Sequence, residues 1–342
     1  MSIDSGGARA APAAARARVF VSRRIPAAGL EPVLAACDAA VWEGDEPPPR
    51  DALLRAVAGC DGVLTLLSDR VDDAFLDAAG PGLRVVSNMA VGVDNIDVAA
   101  CTRHGIPVGN TPGVLTETTA DLAFALILAA ARRLPEGERF VRSGGWGAWQ
   151  PMHQLGLDVH GATLGIVGFG RIGQAVARRA AGFGMPVLYA SRSRVVPAIE
   201  AALNATWVTL PELLARADIV TLHVDLNAST RRLIGAAELA AMKPTAILVN
   251  TTRGPVVDPA ALYAALRDGV IRAAALDVTD PEPIAADDPL LTLENCLIVP
   301  HIGSATEATR GKMAAMAAAN LLAGVRGERL PNAANPEVYD RP

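Results

Sequence analysis

The sequence predicts an α/β fold of two parallel-sheet domains, with one domain inserted between the halves of the other. The first observation behind this is length: 342 residues, at ~150 residues per domain, suggest about two domains. The second is the alternation of short apolar runs with Ala-rich helical stretches from Arg18 onward, the pattern of a parallel sheet covered by helices. The third is a final apolar helix, roughly Glu307 to Leu322, with no strand after it. It must pack on something already built, and a return to the first domain is one economical solution.

Taken in order, residues 1–17 are rich in Ala, with Arg9 and Arg16, and lack the apolar stretch of a secretory signal. They are expected to be a disordered tail, a transit peptide being the other reading. Strands follow at 18–21 (RVFV), 62–67 (GVLTLL), 84–87 (RVVS) and 106–108 (IPV). A long helix is expected from Thr116 to Arg133. Thr118 and Asp121 are spaced like a capping box, Arg132 and Arg133 fall in the last turn, and Pro135 lies just beyond. Strands resume at 164–168, 187–190, 219–224, 246–250, 274–278 and 297–300, making a second, larger parallel sheet. The domains are then 18–112 with 305–342, and 113–304.

Composition excludes several classes of function. With 51% hydrophobic and 20% charged residues the chain is not disordered, and with 4% aromatic residues its core must be Ala, Val, Leu and Ile. Trp146 and Trp149 stand almost side by side among these few rings. The net charge of -5 carries no basic block, so nucleic acid is not expected as a partner. The longest apolar run, Leu122 to Ala131, has ten residues against the ~20 that span a bilayer, so no membrane is expected. Cys37, Cys60, Cys101 and Cys296 are far apart with no C-x-x-C pair, which fits a reducing, cytoplasmic setting. His104, His153 and His160 have no ligand spacing, and no metal is indicated.

Gly168, Gly170 and Gly173 form G-x-G-x-x-G directly after the strand at 164 and before a helix, the context that makes this motif a dinucleotide fingerprint. In such a Rossmann-like turn the first glycine permits the bend and the second lets backbone approach a pyrophosphate. The third packs helix on strand, and the helix start at Arg171 and Ile172 offers N–H groups to the anion. The next strand ends in Ala190-Ser191-Arg192-Ser193-Arg194, with no carboxylate until Glu200. An acidic residue here would read the ribose of NAD, whereas Ser191, Arg192, Ser193 and Arg194 suit a 2′-phosphate. NADP(H) is the favoured cofactor and NAD(H) the alternative; a solvated loop serving both is the plainer reading.

Asn250-Thr251-Thr252-Arg253-Gly254, Asp277-Val278-Thr279-Asp280-Pro281-Glu282-Pro283 and Pro300-His301-Ile302-Gly303-Ser304 stand at the ends of successive strands. With the glycine turn, they resemble the signatures of the D-2-hydroxyacid dehydrogenase family. Leu115-Thr116-Glu117-Thr118-Thr119-Ala120, Gly144-Gly145-Trp146 and the turn at 190–194 are most similar to its glyoxylate/hydroxypyruvate reductases. The resemblance implies two Rossmann-like/flavodoxin-like domains, the nucleotide-binding one inserted into the substrate domain, with a cleft that closes on the substrate. It implies NADPH-preferring reduction of small 2-oxo acids.

Carried over by motif position, Arg253 would hold the substrate carboxylate and polarise the 2-oxo group. His301 would give the carbonyl oxygen its proton, and Glu282 beside it would favour the protonated ring. Separations of 29 and 19 residues are each about one strand–helix unit, so the three can meet at adjacent strand tips. The resemblance further implies that Val91 and Gly92 offer N–H groups to the substrate carboxylate. Asp277, Thr119, His223, Thr251, Thr252 and Gly303 would touch the cofactor, although Asp225 stands where the family commonly has proline. Trp146 would belong to a dimerisation arm that reaches the partner's active site, so a homodimer is expected, with a small 2-oxo or 2-hydroxy acid as substrate. Two rivals remain, a family member with a larger substrate and a dinucleotide-binding co-repressor without turnover. Formate and phosphoglycerate dehydrogenases are disfavoured, the first because Glu282 is acidic and the second for want of a regulatory module before Pro342.

Overall fold

The structure is a computed structural model describing residues 16–340, so the expectation of a loose tail over 1–17 falls almost wholly outside the described residues. The chain divides into two compact units, one running to Pro112 and resuming at Arg310, the other Gly113–Thr309.

The first unit carries β1 (Arg18–Val21), β2 (Asp38–Val41), β3 (Gly62–Thr65), β4 (Val85–Asn88) and β5 (Val108–Gly109), all parallel in the order β2-β1-β3-β4-β5. This is the flavodoxin-like winding. Its helices are α1 (Ala27–Ala36), α2 (Arg50–Val57), α3 (Asp73–Ala79) and α4 (Val98–Arg103). The Asp72 carboxylate accepts from Phe75 N–H and starts α3, and Asp97 does the same for α4 through Ala100 N–H. Phe20, Val63, Val86 and Val108 face α2–α4 across one dry layer. Sequence reading missed β2, whose Asp-Ala-Ala-Val run is a half-exposed edge with little apolar signal.

The C-terminal helix Glu307–Val325 closes the opposite face of this sheet from Arg310 onward. Ser87 Oγ donates to Ala317 O at 2.7 Å, Arg84 to Val325 O at 2.9 Å, and Asn320 Nδ2 to Asn110 O at 2.9 Å. Small residues allow this approach: a Cβ on Gly324 would stand 2.4 Å from Val85 Cβ.

The second unit holds α5 (Thr116–Ala131), α6 (Leu134–Arg142), β6 (Leu164–Val167), α7 (Arg171–Ala181), β7 (Val187–Ala190), α8 (Pro197–Leu203), β8 (Ala205–Trp207), α9 (Leu210–Arg216) and β9 (Ile219–Leu222). It continues with α10 (Ala236–Ala241), β10 (Ile247–Asn250), α11 (Pro259–Arg267), β11 (Ala273–Leu276) and β12 (Cys296–Ile298). The order β12-β11-β10-β9-β6-β7-β8 is the Rossmann winding, and its direction reverses between β6 and β9. Ile166, Tyr189, Ile219 and Val249 bury against α5 and α7, while Leu188, Val220, Leu248 and Leu276 bury on the other face. Strands covered on both faces read as unbroken apolar runs, which is why sequence located them so closely. The edge strand β8, three residues long and half exposed, escaped it.

Two local expectations are corrected. Thr118 and Asp121 form no capping box: α5 begins after Leu115 with no side-chain cap, Thr118 Oγ1 pairs with Thr309 Oγ1, and Asp121 pairs with Arg179. A stronger partner across the unit outcompetes the local bond. Arg132 and Arg133 do not fall in the last turn: α5 ends at Ala131, Arg132 caps it and Arg133 turns to φ +53°, while Pro135 lies beyond as expected, in the first turn of α6, where its missing N–H costs nothing.

Helix propensity alone makes Gly324→Ala stabilising by about 1 kcal/mol. Overpacking against Val85 costs about 1–3 kcal/mol. Urea unfolding should therefore show a net loss of stability.

Candidate active site

The turn after β6 shows why each glycine is needed. Gly168 has φ +92°, and a Cβ there would lie 2.3 Å from His223 O. Gly173 lets α7 sit on the turn, since its Cβ would lie 2.3 Å from Gly168 O. Gly170, by contrast, faces open space with nothing within 4 Å of a Cβ. The turn is closed below and bare above, at the N-terminus of α7, where Arg171 and Ile172 begin the helix. An anionic ligand can thus meet backbone N–H groups without a side chain between.

The neighbouring strand ends carry unused polar atoms. The His223 ring is half-buried with its Nδ1 covered, and this desolvation pulls its pKa down to about 3, so it is neutral near pH 7. Its Nε2 pairs with Thr221 Oγ1 at 2.9 Å, while Nδ1 and the buried Thr251 Oγ1 have no partner. Orphaned buried polar groups are costly unless a ligand satisfies them, so this set fits a dinucleotide. Thr252 instead turns inward onto Asn250 Oδ1 at 2.8 Å. Asp225, the departure from the family pattern, lies in a turn closed by Thr230 Oγ1 on its carbonyl at 2.6 Å.

After β7, Ser191 Oγ donates to Ser193 O at 2.6 Å. Arg192 is exposed with no hydrogen bond or ion pair among the described residues. Arg194 is already paired, its Nε and Nη2 on Glu200 at 2.9 and 2.7 Å. Glu200 Oε1 also accepts from Tyr189 OH at 2.7 Å, and these bonds hold its pKa down at about 2. Sequence reading named neither Tyr189 nor Glu200 as part of the site; the only available signal was that Glu200 is the next carboxylate along.

Arg253, Glu282 and His301 follow β10, β11 and β12, which are adjacent in the sheet. His301 Nδ1 lies 2.5 Å from Glu282 Oε1. Partial burial pushes the Glu282 carboxyl up, but the His301 hydrogen bond and charge, Thr279 N–H and the Arg253 charge prevail and hold it below its ordinary value. The Arg253 loop reaches this group because a Cβ on Gly254 would collide with Thr279 O at 1.8 Å. Only glycine fits there.

His301 itself has φ +50°, an uncommon backbone state for a residue with a side chain. Asp277 sustains it. The Asp277 carbonyl accepts from His301 N–H at 2.9 Å, and its carboxylate accepts from Ile302 N–H at 2.6 Å and Gly303 N–H at 2.9 Å. Thr119 Oγ1 donates to Gly303 O at 3.1 Å. Burial raises the Asp277 pKa despite these bonds. Asp277, Thr119 and Gly303 are thus brought together as a clamp on the His301 loop.

Val91 and Gly92 lie in the other unit, in a loop whose carbonyls are pinned by Asn110 Nδ2 on Val91 O at 2.9 Å and Asn88 Nδ2 on Gly92 O at 3.1 Å. Neither N–H donates to an acceptor among the described residues. Trp146 follows a turn in which Gly144 takes φ +75° and Gly145 packs against the Phe140 ring. It is 65% exposed, Trp149 81% and Met152 78%, and Leu134, Val141 and Leu155 are exposed on the same segment. Among the described residues no helix is long and apolar enough to cross a membrane, and no group of three or more His, Cys, Asp or Glu could hold a metal ion.

Residues 124–303 match the family model of the D-isomer specific 2-hydroxyacid dehydrogenase NAD binding domain. The chain is 52% identical over 322 residues to a glyoxylate reductase of Korarchaeum cryptofilum, covering 94% of this chain and 96% of that one. It is 47% identical to a human glyoxylate reductase/hydroxypyruvate reductase, covering 92% and 97%. An NADPH-dependent glyoxylate/hydroxypyruvate reductase from Sinorhizobium meliloti, solved with NADP and malonate, superposes with a TM-score of 0.81 at 33% identity, over 94% of this chain and 98% of that one.

The two glycines should separate experimentally. Gly168→Ala should cost about 1–3 kcal/mol of stability through strain. Gly170→Ala, at the N-cap of α7, should cost no more than about 1 kcal/mol. Its methyl, standing in the open approach, should nonetheless weaken dinucleotide binding about tenfold or more in a fluorescence titration.

Proposed function

The chain belongs to the D-isomer specific 2-hydroxyacid dehydrogenase family, and within it we propose that the protein reduces glyoxylate to glycolate and hydroxypyruvate to D-glycerate, preferring NADPH. The observation that carries the reading is the His301–Glu282 pair at 2.5 Å beside Arg253, at the ends of three adjacent strands. The dinucleotide supplies a hydride to the 2-oxo carbon when bound.

Arg253 binds the substrate carboxylate and polarises the carbonyl, a planar guanidinium being suited to both oxygens. His301 delivers the proton that the carbonyl oxygen takes up. Because Nδ1 is engaged by Glu282, Nε2 is the nitrogen free to do so. Glu282 stays ionised and holds the ring by accepting from Nδ1. Val91 and Gly92 offer N–H groups to a carboxylate. Gly168, Gly170, Arg171, Ile172, Gly173, His223, Thr251 and the Thr252 backbone would hold the dinucleotide, and Ser191, Arg192 and Ser193 would meet its 2′-phosphate.

The exposed apolar segment from Leu134 to Leu155 supports a homodimer, because a monomer rarely leaves rings of this size in water. In that assembly Trp146 narrows the partner's site toward small acids. Four unpaired cysteines support a cytoplasmic setting.

A spectrophotometric panel of glyoxylate, hydroxypyruvate, pyruvate and phenylpyruvate with NADPH and NADH tests the proposal. It predicts the highest kcat/KM for the first two with NADPH; preference for phenylpyruvate, or no turnover at all, would overturn it. His301→Ala should lower kcat by about 100-fold or more. Glu282→Gln removes the carboxylate that holds the ring through Nδ1, so kcat should fall by about tenfold or more. An unchanged kcat would remove Glu282 from the mechanism.

A further inference from the structure

The turn between β7 and α8 holds two arginines in opposite circumstances. Arg192 is exposed and makes no hydrogen bond or ion pair among the described residues. The Arg194 guanidinium, only two residues on, is bidentate to Glu200 at 2.9 and 2.7 Å. Glu200 is itself buried and takes a third hydrogen bond from Tyr189 OH at 2.7 Å. Tyr189 in turn is fully buried, stacks on the Phe169 ring of the glycine turn at 4.1 Å, and accepts from Val195 N–H at 3.1 Å. The Trp207 indole N–H closes the other side on Ser191 O at 3.4 Å.

We propose that Glu200 sets cofactor discrimination by holding the exposed Arg194 in a bidentate ion pair, so that Arg192 is the guanidinium left to meet a 2′-phosphate. This rests on the NADPH preference proposed above and assigns it to residues. A guanidinium whose N–H fork is filled by a carboxylate has little to offer a second anion, and its charge is cancelled locally. Arg194 is then a positioning residue that ties the turn to Tyr189 and, through the stacked rings, to the glycine turn. Without the carboxylate charge the Arg194 fork is open to a second anion, so neutralising Glu200 should favour NADPH.

The test is equilibrium titration of NADPH and NADH by nicotinamide fluorescence, with thermal melts of the cofactor-free protein. Arg192→Ala should weaken NADPH about tenfold or more and NADH by no more than about twofold. Arg194→Ala should lower the melting temperature and weaken both cofactors by a common factor, leaving their ratio within about twofold. Glu200→Gln keeps an acceptor for Tyr189 but frees Arg194, and should raise the preference for NADPH about threefold or more. In the double variant with Arg194→Ala that gain should vanish. The proposal is overturned if Arg194→Ala erodes the ratio as much as Arg192→Ala does, or if Glu200→Gln lowers it. If neither arginine moves the ratio, the turn does not read a 2′-phosphate and the proposal falls, whereas wild-type protein that binds NADH the more tightly overturns the NADPH preference itself. Should Arg194→Ala fail to fold, the sign of the Glu200→Gln effect decides alone.

Discussion

The Asp277 carboxylate, buried directly after β11, gathers the backbone of the next strand's exit loop: Ile302 and Gly303 N–H on its two oxygens and His301 N–H on its carbonyl. A charge placed there loses its water, and only such oriented donors offset the loss. In return, the donors hold His301 at φ +50°, a conformation costing about 1–3 kcal/mol that persists only where neighbours over-determine it. Thr119 from α5 adds a further tie at Gly303 O. The ring is thereby aimed at Glu282 before any substrate arrives, and preorganisation of this kind spares the reaction the reorganisation it would need in water.

The parallel sheet does the rest by register. β10, β11 and β12 run side by side, so groups 29 and 19 residues apart in sequence emerge at one edge. At the switch point between β6 and β9, backbone replaces side chains: Gly168 and Gly173 are closed against neighbouring carbonyls while Gly170 is open. One sheet therefore presents a bare anion cradle and a charged triad along the same strand ends. The orphaned His223 Nδ1 and Thr251 Oγ1 lie on the strand-end loops after β9 and β10, between the two.

The inner strands of the larger sheet were legible because burial on both faces demands unbroken apolar runs, and VLYA at 187–190 was located to the residue. The edge strands Asp38–Val41 and Ala205–Trp207 were not, since a half-exposed edge has no such demand. The glycine turn was readable because its residue type is dictated by sterics. The capping box at Thr118 was a false signal, because local spacing cannot report that Arg179 and Thr309 compete for the same side chains. For the same reason sequence showed two arginines in the 190–194 turn but not that one is already spent on Glu200. The role of Asp277 as a clamp was hidden too, since its partners are backbone N–H groups 25 and 26 residues away.

In the proposed reaction His301 faces Glu282 through Nδ1 and keeps Nε2 for the substrate. An ionised carboxylate at Nδ1 keeps a proton on that nitrogen whether the ring is neutral or charged, so only Nε2 exchanges its proton. Long-range ¹H–¹⁵N spectra of protein labelled at its five histidines, with His301 assigned from its glutamine variant, read this directly. At alkaline pH the expected His301 tautomer carries its proton on Nδ1 and has a bare Nε2. A ring protonated at Nε2 with Nδ1 bare would contradict it.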